Sequence, residues 1–505
     1  MTTTTDREDV AVSGVTYKRA EEGYFDKRKL KRTAGVWGLW GMGVAAVISG
    51  DFSGWNGGVA AAGWGGFAIA TVIVIVMYVS MIESISEMAA AMPHTGGAYS
   101  FARAAMGPWG GFITGLAETI EYVMTTAVVI YFSAQYADAI VKQLSGGFSL
   151  VDAGFAWVWW LALYAVFVLV NSAGAHVSFR FAIVVSIMSI GILVLFAVMA
   201  IFSGKVDFSH LLDIAPAAGG TSFLPLGLAS VLFAMPFAMW LFLGIEELPL
   251  AAEEAHNPES DIPRAGRAGM LTLLLTAAIV VVLNPGVVGS NALGGSLEPL
   301  LDGFRTIIPG NIAAILSAFA LVGLLASVQG IMFAYGRNMY SLSRAGYYPK
   351  ILSFTGERQT PYLALIVGAV IGFASLMIVQ YGNTAAGSVV LNIAVWGAVL
   401  AYLLQMASFV ILRVRFPGAK RPHLSPFGVP GAVVAGLISA VVFVGVLLNP
   451  AYTAAIYTVL VLYVLALVFF ALRGRHNLIL SPEEEYAISE GIHAKVAEPE
   501  LDPVA

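Results

Sequence analysis

No cysteine occurs anywhere in the chain, which excludes a disulfide framework and any thiolate metal centre. Charge is scarce as well. Asp, Glu, Lys and Arg make up 11% of the 505 residues, about half the share found in soluble domains. The seven histidines (His94, His176, His210, His256, His423, His476, His493) form no i, i+4 pair, so no metal site is expected. The glycine-rich runs lack the Gly-Lys-Ser/Thr ending of a phosphate loop. No nucleophile–base pair is identifiable, so neither an enzyme, a cofactor nor a nucleic-acid partner is expected. No cleavable signal peptide is visible, because a polar, basic tail of about 30 residues precedes the first apolar run.

What the chain has in abundance is apolar length. Hydrophobic residues make up 58% of it, and runs of about 20 residues recur, enough to span a bilayer as helices. Twelve such segments lie near 34–63, 66–92, 109–141, 154–174, 178–203, 223–252, 267–290, 311–341, 361–381, 388–412, 429–449 and 452–472. The fold expected is an all-α polytopic membrane protein with twelve transmembrane helices. With the amino terminus inside, every Lys and Arg except Lys142, Lys205 and Arg305 falls on the inner side, as the positive-inside rule requires. The lipid bilayer is thus a partner of the chain, with both termini cytoplasmic and the plasma membrane as its location. The cluster Lys27-Arg28-Lys29-Leu30-Lys31-Arg32 reads as an anchor on anionic headgroups. Residues 476–505 read as a soluble tail in which Ser481-Pro482-Glu483-Glu484 caps a short helix.

Two segments contradict their surroundings. The first, Val47-Ile48-Ser49-Gly50-Asp51-Phe52-Ser53-Gly54-Trp55-Asn56-Gly57-Gly58, carries glycines and a carboxylate between apolar flanks. Glycine lowers helix propensity, and a carboxylate at bilayer depth marks a functional candidate. The second, near the sixth span, runs from Met235 and Pro236 through Trp240, Gly244, Glu246 and Glu247. Two breaks five spans apart are what an inverted repeat of five plus five helices places at its centre, although no sequence repeat is visible. The organisation expected is a tail (1–32), a ten-helix core (33–412), two further helices (413–472) and a second tail (473–505).

Carboxylates fall within or at the edges of these spans at Asp51, Glu83, Glu87, Glu118, Glu121, Glu246 and Glu247, and no Lys or Arg lies in the interior of the first six, Arg180 standing at the start of the fifth. A cavity of that balance suits a small organic cation. Asp51 is either an ammonium contact or a helix cap. Glu246 is a substrate or coupling residue. Glu118 and Glu121 share a face at i, i+3, and one of such a pair would stay protonated in a low-dielectric site. They are coupling candidates, with Glu247 beside them. Phe52 and Trp240 flank the breaks, where a π-face over an ammonium contributes roughly 0.5–2 kcal/mol.

Several blocks resemble the amino acid–polyamine–organocation transporter superfamily. They are Glu87 with Pro93-His94-Thr95-Gly96-Gly97-Ala98-Tyr99; Gly244-Ile245-Glu246 with Ala252-Glu253-Glu254-Ala255-His256-Asn257-Pro258 and Ile262-Pro263-Arg264-Ala265; and Arg337-Asn338-Met339-Tyr340 with Arg344-Ala345-Gly346 and Pro349. Tyr24-Phe25-Asp26-Lys27-Arg28 and Ser49-Gly50-Asp51-Phe52-Ser53-Gly54-Trp55-Asn56 resemble the bacterial ethanolamine permease group. The resemblance implies a leucine-transporter-type fold with broken helices one and six. It also implies alternating access around a midplane site, with Ser49, Gly50, Asp51, Phe52, Trp240, Gly244 and Glu246 binding substrate. One departure is informative. Amino acid carriers of the superfamily read Gly-Ser-Gly-Ile-Phe at the first break, whereas Asp51 here takes the aliphatic position. An anion there repels a substrate carboxylate and attracts a cation.

The function expected is import of a small amine, ethanolamine first. The alternatives are a carrier of cationic amino acids or polyamines, and a transporter-like amine sensor. The membrane potential alone favours cation uptake by about 2.3 kcal/mol per charge per 100 mV, so uniport suffices. Relatives that carry a proton on a fifth-span lysine have no counterpart here, since Phe179 to Ile201 contains none. A co-transported proton, or sodium held near Ser327 between spans one and eight, stays open.

Overall fold

A computed structural model describes residues 10–489 except 13, 19, 22, 309 and 383–385. Residues 1–9 and 490–505 of the two expected tails, with His493, lie outside the described residues. The helices in chain order are α1 (Val36–Val47), α2 (Ser49–Phe52), α3 (Gly57–Ala91), α4 (Gly97–Ser145), α5 (Ala156–Ser172) and α6 (Ala175–Phe202). They continue as α7 (Ser230–Trp240), α8 (Pro258–Val288), α9 (Ser290–Gly294), α10 (Pro299–Ile307), α11 (Asn311–Arg344), α12 (Tyr362–Gly382), α13 (Ala386–Arg415), α14 (Gly428–Leu448), α15 (Thr453–Leu472) and α16 (Pro482–Ile488). A 3₁₀ helix, Ile245–Glu254, follows α7 after a short break.

Ten of these segments, with α7 and its 3₁₀ continuation taken as one, are long and apolar enough to cross a membrane. The apolar helices Val36–Phe52 and Ala156–Ser172 are shorter. The chain is therefore an all-α polytopic membrane protein. The apolar segments near 34–63 and 66–92 join through a glycine kink, and the segment near 109–141 extends back to Gly97 through another. Gly63 (φ 70°) bends α3, and Gly107 (φ 78°) bends α4 just before Pro108. At positive φ a glycine turns the chain at no steric cost, which lets one helix follow another without a loop.

The tails are the largest correction. Three short strands, β1 (Val10–Val12), β2 (Val15–Lys18) and β3 (Leu478–Ile479), form one sheet in which β2 and β3 run parallel. Both tails therefore meet on one face of the bundle. The carboxyl-terminal segment is not a free polar tail. Glu483 and Glu484 of α16 are buried. Glu484 accepts from Tyr17, Tyr99, Tyr347 and Arg103, while Glu483 accepts from Ser341 and Arg344. Ser481 precedes α16 without making a side-chain cap bond. Arg28 also departs from the lipid-anchor reading. It is buried and donates to Ser353, the Tyr24 carbonyl and the Lys350 carbonyl, while Lys27, Lys29, Lys31 and Arg32 stay exposed.

Candidate functional site

The first break falls later than its glycines suggest. Ser49, Gly50, Asp51 and Phe52 are still helical, in α2, and the unwound stretch is Ser53–Asn56. The Ser327 hydroxyl of α11 splices α1 to α2, donating to the Ala45 carbonyl at 2.6 Å and accepting from the Ser49 N–H at 2.9 Å. That hydroxyl, considered for sodium, is already engaged in both roles. The second break also shifts. Pro236 sits inside α7 without interrupting it, and the chain unwinds at Leu241–Gly244, with Gly244 at φ 112°.

The two breaks touch. Trp240 donates its indole N–H to the Ser53 carbonyl at 3.0 Å. A Cβ added at Gly50 would lie 2.4 Å from the Trp240 carbonyl oxygen, so only glycine lets α2 approach the end of α7 this closely. Gly50→Ala is expected to force the two breaks apart and cost about 1–3 kcal/mol, read as a lowered thermal midpoint of the purified protein. Trp240 thus braces the first break as well as facing it. The Phe52 ring packs against Gly323 of α11, and its carbonyl accepts from the Tyr136 hydroxyl at 2.7 Å.

Asp51 is 1% exposed, and neither carboxylate oxygen has a hydrogen-bond partner. The cap role considered for it is absent from the structure: α2 has no side-chain cap bond. Thr276 of α8 is the hydroxyl set beside the carboxylate.

The four glutamates come together on the other side of the second break. Glu118 accepts from Tyr122 at 3.3 Å and from Asn338 of α11 at 2.9 Å. Glu121 accepts from Tyr402 of α13 at 2.9 Å, and Tyr402 accepts in turn from Tyr78 of α3 at 3.3 Å. Glu246 accepts from the Gly244 N–H at 3.0 Å, and both oxygens of Glu247 are unpartnered. The shared face predicted for Glu118 and Glu121 holds, since α4 turns both toward the bundle interior. Glu83 and Glu87 leave the set of unpaired acids. Arg267 clamps Glu83 through two nitrogens, and Arg413 with the Ser425 N–H binds Glu87.

Sequence reading missed Tyr78, Tyr122, Tyr402 and Thr276. Tyrosines are too common in such a chain to single out, and only Asn338 carried a signal, inside the quoted Arg337-Asn338 block. Contacts close both approaches to the breaks. On the tail face the Thr33 and Ala34 N–H groups donate to the Glu254 carbonyl, and Arg337 pairs with Glu254, both side chains fully buried. On the opposite face Asn56 donates to the Leu293 and Ser296 carbonyls, and Ser53 to that of Leu297. A cleft of about 380 Å³ opens there beside Gln135, Asp138, Glu298 and Arg305. Burial, with Asp302 nearby, pushes the Glu298 carboxyl up to about 7.

Interrupted helices in contact, buried acids around them and seals on both faces define a membrane carrier. The family profile described as amino acid permease matches residues 38–481, so the chain belongs to the amino acid permease family. It is 24% identical to an uncharacterised transporter of Rhizobium meliloti, over 89% of this chain and 93% of that one. It is 25% identical to the lysine-specific permease LysP of Lactococcus lactis, over 63% of each chain. It is also 25% identical to the gamma-aminobutyric acid permease of Escherichia coli, over 67% of this chain and 71% of that one.

Proposed function

We propose that the chain imports a small organic amine cation, ethanolamine first among them, by alternating access. The observation that carries this reading is the buried, unpartnered Asp51 carboxylate at the first break. A buried anion without a partner is costly, and an ammonium bound there removes the cost. Trp240 and Phe52, with the backbone of Ser49, Gly50 and Gly244, complete the substrate environment, and Glu246 stands at its edge. In this reading residues 33–412 are the transport core and 413–472 are two added helices. Twelve crossings bring the tail face to the cytoplasmic side of the plasma membrane.

The kinship with lysine and gamma-aminobutyric acid permeases supports a second reading, a carrier of cationic amino acids. Labelled ethanolamine uptake into proteoliposomes decides between them. Inhibition by unlabelled ethanolamine but not by lysine, arginine or alanine is expected. Equal inhibition by lysine or arginine favours the second reading. An amine sensor would show binding without flux.

A further inference from the structure

Arg344, at the end of α11, is buried and serves two carboxylates at once. Its Nη1 donates to Glu253 Oε2 at 2.9 Å and its Nη2 to Glu253 Oε1, while Nη2 also reaches Glu483 Oε1. Glu253 lies at the tail-face end of the 3₁₀ segment that follows the second break. The fork therefore pins that segment to α11, beside the Arg337–Glu254 pair. Glu483 approaches from α16 instead, and the two acids differ in their setting. The Glu253 side chain is 23% exposed, whereas that of Glu483 is fully buried. Glu253 can leave into water, and Glu483 cannot.

The contact with Glu483 is also incomplete. Among the described residues, Glu483 Oε2 and Arg344 Nε are buried without a hydrogen-bond partner. One group holds an unused acceptor and the other an unused donor, and the two already touch. A guanidinium and a carboxylate pair best through two parallel bonds, but here Glu253 occupies the fork. The fastenings of α16 do not involve the 3₁₀ segment. Glu484 accepts from Arg103, Tyr17, Tyr99 and Tyr347, Ser341 donates to Glu483, and the Tyr486 hydroxyl donates to the Ala91 carbonyl of α3. Movement of the segment thus leaves α16 in place.

We propose that Glu483 is a positioning residue for the tail-face gate: when the 3₁₀ segment swings away, Arg344 exchanges its fork with Glu253 for a two-bond pairing with Glu483. Removing one partner of a buried ion pair is costly because the other charge is left unpaired, and the exchange removes that cost. Arg337, which loses Glu254 in the same movement, keeps the Phe333 ring of its own helix at 3.7 Å. The carboxyl-terminal helix eases opening of the gate and does not bar it. The inference rests on the alternating access of the reading above, not on which amine is carried.

The test uses the absence of cysteine from the chain. Leu248 of the 3₁₀ segment is 1% exposed, and its side chain packs on Gly43 of α1. In a Leu248→Cys parent, the single thiol is therefore covered until the segment parts from α1. The purified full chain is placed in nanodiscs, which leave both faces open to a hydrophilic maleimide, and the rate of labelling is followed. Adding Glu483→Gln strands Arg344 at each opening, so labelling is expected to slow about tenfold or more. Adding Glu253→Gln removes the pin and leaves Arg344 paired throughout, so labelling is expected to quicken. The pair Arg344→Gln/Glu483→Gln strands no charge and is expected to label at least as fast as the parent. Faster or unchanged labelling with Glu483→Gln overturns the exchange, the faster result making α16 a bar on the gate. Slower labelling with Glu253→Gln or with the Arg344→Gln/Glu483→Gln pair overturns it too, even where the single Glu483 variant does not fold. A parent that never labels overturns it as well, since the segment then stays on α1. No substrate enters the assay, so failure of ethanolamine uptake would sink the amine reading without touching this result.

Discussion

Asp51→Asn is expected to lower ethanolamine uptake by two to three orders of magnitude without lowering the thermal midpoint. The substitution keeps the shape of the side chain and removes its charge. Breaking a buried ion pair by deleting one partner costs about 3–5 kcal/mol, and each 1.4 kcal/mol is tenfold in affinity. Neither oxygen has a hydrogen-bond partner by geometry, and the Thr276 hydroxyl beside the carboxylate finds an acceptor equally in the asparagine amide, so little folded-state contact is lost with the charge. A helix-capping aspartate behaves the other way, since its loss destabilises by about 0.5–2 kcal/mol. Uptake assays beside melting curves separate the two roles. Intact uptake with a lowered midpoint would return Asp51 to a structural part.

Glu484→Ala is expected to unfasten the carboxyl-terminal helix and destabilise the purified protein by about 3–5 kcal/mol. The substitution strands the buried Arg103 guanidinium and removes the acceptor of three tyrosine hydroxyls at once. The double variant Arg103→Met/Glu484→Met is expected to recover much of the loss, because an apolar pair of similar size leaves no unpaired charge. Melting of the wild type against pH gives an independent reading through the neighbouring acid. The Arg344 guanidinium and His94 hold Glu483 well below the usual carboxylate range. Its contribution is therefore complete above the unfolded value and is lost as the pH falls toward the depressed folded value. A midpoint insensitive to the single Glu484 substitution would show that α16 docks without stabilising the bundle.

Composition and apolar run length settled the fold class. A chain with 58% hydrophobic and 11% charged residues and repeated 20-residue runs has one stable setting, the bilayer, and helices are the form in which such runs satisfy their own backbone there. The two breaks were legible too, because glycines and carboxylates inside apolar segments violate the local pattern. Their positions were displaced. Gly50 and Asp51 stay helical, since a glycine can serve close approach instead of unwinding, and Pro236 is accommodated within α7. Composition could not say which of these roles each residue takes.

Pairing belongs to the tertiary structure. Glu83, Glu87, Glu118, Glu121, Glu246 and Glu247 look alike in sequence as acids near membrane depth. Only folding gives the first two to Arg267 and Arg413, surrounds Glu118 with Tyr122 and Asn338, and sets Glu121 beside Glu246. The same holds for the tails, where Tyr17 and Glu484 meet across nearly the whole chain. Local pattern decides whether a segment is helical and buried, because those properties depend on near neighbours and on the solvent. Which charges neutralise one another depends on contacts between segments remote in sequence, and these exist only once the helices have packed.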